Sequence, residues 1–291
     1  MTEIVIGATT DPGSRDAAAL GFALARTLDA VPVVAHVRPE PWRAPGSGRV
    51  DAEWDAYLEQ SSLETVDAVR DANLSAFEEL GGVTDIGLHR QSGAGLDEIA
   101  GRRGASVVVI GSAPGGTTGR IQGGSTSEQL LHGSHVPVAI APTDYAESAP
   151  DRIERLVVAV DMDYRPVRLA SALDLLPDVE VVLVCVVRRA TSIYTTQLGV
   201  DAELEVLHVL RAQAEDAVQA AQADIRRTTE TNVLVGDTVD AALAEMIWHR
   251  EDLLVCGSSH LGPVRRVLLG DMTFRLLRAA TVPVLVAPRP G

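Results

Sequence analysis

Ser106–Pro142, SVVVIGSAPGGTTGRIQGGSTSEQLLHGSHVPVAIAP, reads as strand, glycine-rich loop, helix and strand. Val107–Ile110 is a short run of apolar, β-branched residues, the composition of a strand covered on both faces. Gly111 ends it. From Gly111 to Gly124 the chain carries six glycines and a single large apolar residue, Ile121, which predicts a flexible loop and not a packed element. Gly124-Ser125-Thr126-Ser127 opens a helix with apolar positions at Leu130 and Leu131. Gly133 closes it, and His135–Ala141 is the second strand. A loop that delivers hydroxyls and unpaired N–H groups to a helix start is a ready anion site.

The pattern recurs at Asp252–Pro288, DLLVCGSSHLGPVRRVLLGDMTFRLLRAATVPVLVAP. Gly111 matches Gly257, Gly124 matches Gly270, and His135-Val-Pro-Val matches Thr281-Val-Pro-Val, each at an offset of 146 residues. One constant offset across a whole strand-loop-helix-strand unit marks a duplication.

Two domains fit a length of 291 residues, and 46% hydrophobic content is enough for two cores without disulfides. Aromatics make up only 3%, so those cores must be aliphatic. The formal charge is 25 − 40 = −15. Ten basic and twenty acidic residues precede Ala149, and fifteen and twenty follow, so neither half offers a phosphate-backbone footprint. Nucleic acid and anionic membrane are therefore not expected partners. The chain contains no lysine, which removes a Walker A lysine and any Schiff-base chemistry. Cys185 and Cys256 lie inside apolar strand runs and read as buried, inert thiols in a reducing compartment. Met1-Thr2-Glu3 leads straight into Ile4–Ile6 and no apolar run approaches a membrane span of ~20 residues, so a cytoplasmic location is expected.

Along the chain, Ile4–Gly7 is a strand. Asp11 or Ser14 is expected to cap a helix carrying Ala17, Leu20, Leu24 and Leu28. Val31–Val37 is a strand, and Arg38–Arg49 a Pro/Gly-rich loop in which Trp42 is a candidate contact. One long amphipathic helix is expected from Asp51 to Leu80. Val83–His89 is a strand and Gly93–Arg103 a helix. The second half repeats the order, with strands at Leu156–Val160, Val179–Val187 and Asn232–Val235. Its helices are Val167–Leu176, Asp201–Arg227 and Val239–Trp248. Such alternation gives an α/β fold of two flavodoxin-like domains, 1–145 and 152–291, joined by a linker at 146–151. Each has a five-stranded parallel sheet of order 3-2-1-4-5 with helices on both faces. Ligands then belong at the switch point between the first and fourth strands. The two last strands, Val136–Ala141 and Val282–Ala287, are sheet edges that would be satisfied by pairing with each other.

At this point the residues resemble the universal stress protein family in its tandem form, over essentially the whole chain. The family signature is Gly-x2-Gly-x9-Gly-Ser/Thr after strand four, followed by a helix and a Val-Pro-Val strand. Members with the full signature bind ATP, with Mg²⁺ accompanying the nucleotide. The fold it implies is adenine-nucleotide-hydrolase-like. In the first copy the resemblance implies nucleotide contacts from Thr9, Val37, Ile110, Gly111, Gly124, Ser125 and Thr126. Pro114 stands at the second glycine, and Thr9 replaces the usual aspartate. In the second copy it implies Asp161, Val186, Gly257 and Gly270, but His260 replaces the second glycine and Asp271 the helix-start hydroxyl. A carboxylate there competes with phosphate, unless Arg265 and Arg266 turn inward to offset it.

Three classes of function follow. One is a stress-response regulatory protein binding adenine nucleotide, in the first half before the second. Another is a nucleotide-free scaffold acting through dimerisation or partner binding. The third, an enzyme, needs a base, cationic clamps and metal ligands. The acids near the two sites are Asp11, Asp16, Asp161 and Asp163, and helix capping accounts for Asp11 and Asp163 equally well. No catalysis is expected. His36, His132, His135, His208, His249 and His260 share no metal-ligand spacing, and His132 reads as a helix C-terminal residue.

Overall fold

A computed structural model describes residues 2–40, 50–163, 170–189, 200–225, 227–257 and 271–288. The strands of the first half are β1 (Glu3–Gly7), β2 (Val31–Arg38), β3 (Val83–Leu88), β4 (Val107–Gly111) and β5 (Val138–Ala141). Those of the second are β6 (Arg155–Ala159), β7 (Glu180–Arg188), β8 (Thr228–Gly236), β9 (Asp252–Gly257) and β10 (Val284–Ala287). They form one ten-stranded sheet of order β3-β2-β1-β4-β5-β10-β9-β6-β7-β8. Each half therefore has the expected 3-2-1-4-5 order, parallel throughout.

The halves meet where expected. β5 and β10 pair antiparallel, with Ala139 opposite Leu285, Ile140 opposite Val284 and Val138 opposite Val286. All eight residues of the two strands are fully buried. Parallel strands with helices on both faces bury both sides, which explains why these segments are continuously apolar. Burying each Val, Leu or Ile contributes about 1.5–3 kcal/mol, so pairing the last strands removes two costly edges at once.

The helices are α1 (Gly13–Leu28), α2 (Val50–Ala72), α3 (Leu74–Glu79), α4 (Ser92–Arg103), α5 (Ser125–Gly133), α6 (Ala170–Leu175), α7 (Val200–Asp224), α8 (Val239–Leu243) and α9 (Asp271–Ala279). None among the described residues is long and apolar enough to cross a membrane.

Several boundaries differ from the sequence reading. The helix expected over Asp51–Leu80 breaks at Asn73, whose side-chain amide donates to the Val69 carbonyl at 2.9 Å. A side chain that bonds back to its own backbone competes with helix continuation. Neither Asp11 nor Ser14 caps α1: Pro12 holds the cap position, and buried Ser14 accepts from the Thr9 N–H at 3.1 Å. β5 begins later than expected, just after Pro137, as β10 does after Pro283; a proline has no N–H to give the ladder. Asp97 accepts from the Ser134 hydroxyl at 3.1 Å, the His135 N–H at 2.9 Å and the His135 ring at 2.7 Å. α8 stops at Leu243, whose carbonyl accepts the Trp248 indole N–H at 2.9 Å. Trp42 lies outside the described residues.

Candidate functional site

β1 and β4 are neighbours whose connections leave on opposite sides of the sheet, so a crevice opens beyond their carboxyl ends. It is a cleft of about 220 Å³. Thr9, Val37, Ile110, Gly111, Gly124, Ser125 and Thr126, drawn from four separate segments of the chain, all line it. Val37, Leu96 and Ile110 give it an apolar wall, and the start of α5 a polar one.

The apolar wall follows from close packing of helix on strand. Val37 lies against Gly95 of α4, where an added β-carbon would come within 2.5 Å of Val37 Cγ1. Gly93 likewise lets α4 approach α5, and its N–H donates to Gln129 Oε1 at 2.8 Å. The floor is clamped from β2: the Ala8 N–H donates to the Ala35 carbonyl at 2.7 Å, and His36 Nδ1 donates to the Ala8 carbonyl at 2.8 Å. A carbonyl only accepts, so this bond places a proton on His36 Nδ1.

At the polar wall, Gly124 is the extended N-cap of α5. The buried Ser127 hydroxyl accepts from the Gly124 N–H at 2.8 Å. The N–H groups of Ser125 and Thr126, in the first turn, have no intrahelical acceptor by helix geometry. They carry the positive end of the α5 dipole into the cleft. Among the described residues Asp11 is the one acid lining it, and no arginine lines it.

The loop from Gly111 to Gly124 is not the loose connection that its composition predicts. The Ala113 N–H donates to the Gln122 carbonyl at 3.0 Å, and the Gln122 N–H to Ser112 Oγ at 2.6 Å. Further out, the Gly119 N–H donates to the Thr143 carbonyl at 2.8 Å, and Thr143 returns a bond to the Arg120 carbonyl at 3.0 Å. Ile121 is buried in the core. Gly115 and Gly119 supply the positive φ angles, 82° and 71°, at which the loop reverses.

The second half has its own cleft, about 230 Å³, in the equivalent place. Asp161, Val186 and Gly257 line it, with Asp163, Cys185, Cys256, Met272, Thr273 and Leu276. Gly270, His260, Arg265 and Arg266 lie outside the described residues. The helix start differs in chemistry. Met272 stands where the first half has Thr126, and Thr273 donates to the Gly257 carbonyl at 2.9 Å. Asp271 does not bend over the helix end: its carboxylate accepts from Arg275 Nε at 2.9 Å, one turn on. Among the described residues the cation beside it is Arg275, which the loop-centred sequence reading overlooked. Cys185 and Cys256 are buried in opposite faces of the sheet. Burial, with Asp161 adding a smaller effect, pushes the Cys185 thiol up to about 12 and raises Cys256 as well.

Asp16 leaves the set of candidate acids. It is buried away from the first cleft and accepts from the Asp144 and Ala146 N–H groups at 3.0 and 2.9 Å. The sequence reading missed Ser14, His36, Ser92, Leu96, Ser112 and Ser127 as cleft residues. Ser127 had a signal, a hydroxyl three residues after an N-cap; the rest are brought in only by tertiary packing. Among the described residues no group of three or more His, Cys, Asp or Glu side chains could hold a metal ion.

The sequence profile of the Universal stress protein family matches residues 1–142 and again residues 152–288. The universal stress protein Rv2319c of Mycobacterium tuberculosis is 30% identical over 297 aligned positions, covering 98% of this chain and 99% of that protein. Universal stress protein Mb2346c of Mycobacterium bovis matches equally well, at 30% identity over 98% of this chain and 99% of its own length. Among solved structures, a universal stress protein from Archaeoglobus fulgidus shares the fold with a TM-score of 0.60 at 17% identity, over 99% of this chain and 98% of that one. A functionally unknown protein from Pseudomonas aeruginosa, PA1789, does so at 0.56 and 11% identity, over 99% and 92%.

Proposed function

The chain belongs to the universal stress protein family, and from that premise we propose that its first half binds an adenine nucleotide, ATP, as a regulatory ligand. The observation that carries the reading is that one cleft joins an apolar lining to a helix start. Val37, Leu96 and Ile110 offer an apolar slot for a base, and the α5 start offers unpaired N–H groups to phosphate. Ser125 and Thr126 add hydroxyls at the same helix end. Among the described lining residues, backbone dipoles at the α5 start supply the charge complementarity. Mg²⁺ would travel on the phosphates, with Asp11 the protein carboxylate within the cleft.

The second half is assigned a different role. Met272 puts a thioether where a phosphate-side hydroxyl belongs, and Asp271 puts a carboxylate at the helix start. We read this half as the structural partner of the first, closing its edge strand. The test is the small-molecule content of the purified protein after denaturation and mass analysis, followed by ATP titration of the emptied chain. One nucleotide per chain is the expected result. Two would overturn the asymmetry, and none by either route would overturn the nucleotide reading.

A further inference from the structure

One side chain leaves the glycine loop of the first half and enters the second. Arg120 Nη1 donates to Asp240 Oδ1 at 3.2 Å, in the first turn of α8, and to the carbonyl of Ala279, the last residue of α9. A C-terminal helix carbonyl lacks an intrahelical donor, and a cation there also meets the negative end of the helix dipole. Two residues along the loop, Gln122 is bonded to Ser112 and Ala113, and both of these line the first cleft. Ala113 also covers the α5 start, with its Cβ 2.9 Å from where a β-carbon on Gly124 would stand. At its other end, α9 contributes Met272, Thr273 and Leu276 to the second cleft. One rigid helix thus lines the second cleft and grips the loop of the first.

We propose that Arg120 is a positioning residue through which the second half holds the glycine loop of the first cleft, coupling ligand affinity there to the placement of α9. The duplicated half is then a working part of the first site, beyond its role as a sheet partner. By linkage, whatever displaces α9, including a ligand in the second cleft, changes affinity in the first by the same factor that the reverse effect would show. The affinity part of this rests on the nucleotide reading; the loop-order part does not.

The experiment uses the full chain with three changes: Arg120→Ala, Asp240→Ala and both together. Amide hydrogen exchange over residues 112–124 is followed without nucleotide, with the β5 and β10 amides as the control that the fold is intact. ATP affinity is measured in parallel by calorimetry. Arg120→Ala is expected to speed loop exchange and weaken ATP at least threefold. Asp240 lines neither cleft, so Asp240→Ala should move both readouts in the same direction, and the double variant should add little to Arg120→Ala alone. If Arg120→Ala acts while Asp240→Ala is silent, the α8 contact is overturned as part of the coupling, and Arg120 works through the Ala279 carbonyl of α9 alone. If neither change alters loop exchange, the proposal is overturned whatever the affinities. A wild-type chain that binds no ATP overturns the nucleotide reading alone, and the exchange data still decide the role of Arg120.

Discussion

Gly13 and Gly111 meet backbone to backbone: a β-carbon placed on Gly111 would stand 1.9 Å from the Gly13 carbonyl oxygen. In return, a β-carbon on Gly13 would stand 2.3 Å from the Ser112 carbonyl oxygen. The signature glycine at the end of β4 is therefore required by the seating of α1, before any ligand is considered. Gly111→Ala should destabilise the chain by about 1–3 kcal/mol, the range for overpacking a fitted contact, as read from urea unfolding. Gly123→Ala, where an added β-carbon meets nothing within 4 Å and φ is not positive, should stay within about 0.5 kcal/mol of wild type.

Gly124→Asp tests the phosphate wall. The new side chain would collide with Ala113 Cβ and set a carboxylate over the N–H groups that the ligand needs. ATP affinity should fall at least tenfold, about 1.4 kcal/mol, while β5 and β10 stay paired. Equal affinities by calorimetry would remove α5 from the site.

In the second half, Asp271→Ser removes a carboxylate from the helix start, but Arg275 already offsets part of its charge. Asp271→Ser alone, in a Gly124→Asp background, should therefore improve ATP binding less than Asp271→Ser combined with Met272→Thr. The double change restores both the hydroxyl and the shape found at Ser125 and Thr126. Identical titrations for single and double variants would show that Met272 is not an obstacle.

The buried thiols predict alkaline sensitivity. An unfolded cysteine releases its proton near 9, whereas Cys185 in the folded chain holds it to about 12. Between those values the unfolded state binds fewer protons, so stability is fully present below pH 9 and falls as pH rises above it. The slope approaches about 1.4 kcal/mol per pH unit for each thiol. Urea midpoints should decline from pH 9 upward, and a Cys185→Ala, Cys256→Ala chain should decline less steeply. Both thiols should resist alkylation at pH 8 in the native protein and react in urea.

The repeat, the parallel halves and the β5–β10 join were legible because each depends on apolar runs and one constant offset. The seven first-half positions from Thr9 to Thr126 came from the family resemblance, and all seven line the cleft at the switch point. What escaped was settled by single polar side chains. Asn73 breaks a helix that periodicity would continue, Asp97 ties down Ser134 and His135 ahead of β5, and Arg275 answers Asp271. Composition also misled, because glycine in the 111–124 loop serves tight reversal at Gly115 and Gly119 as well as freedom. The bonds that fix the loop reach Thr143 and, through Arg120, the other half of the chain. No local window of sequence contains them.

The antiparallel join of β5 to β10 has a further consequence for assembly. Two separate chains meeting through such an edge would dissociate on dilution, and each could exchange its partner for any relative with a compatible strand. Here the partner is tethered, so the join is insensitive to concentration and closed to outsiders. One half is then free to lose ligand chemistry while its twin keeps it, since the pairing survives either way. Among the described residues, the strands that end the sheet are β3 and β8, at its two far ends.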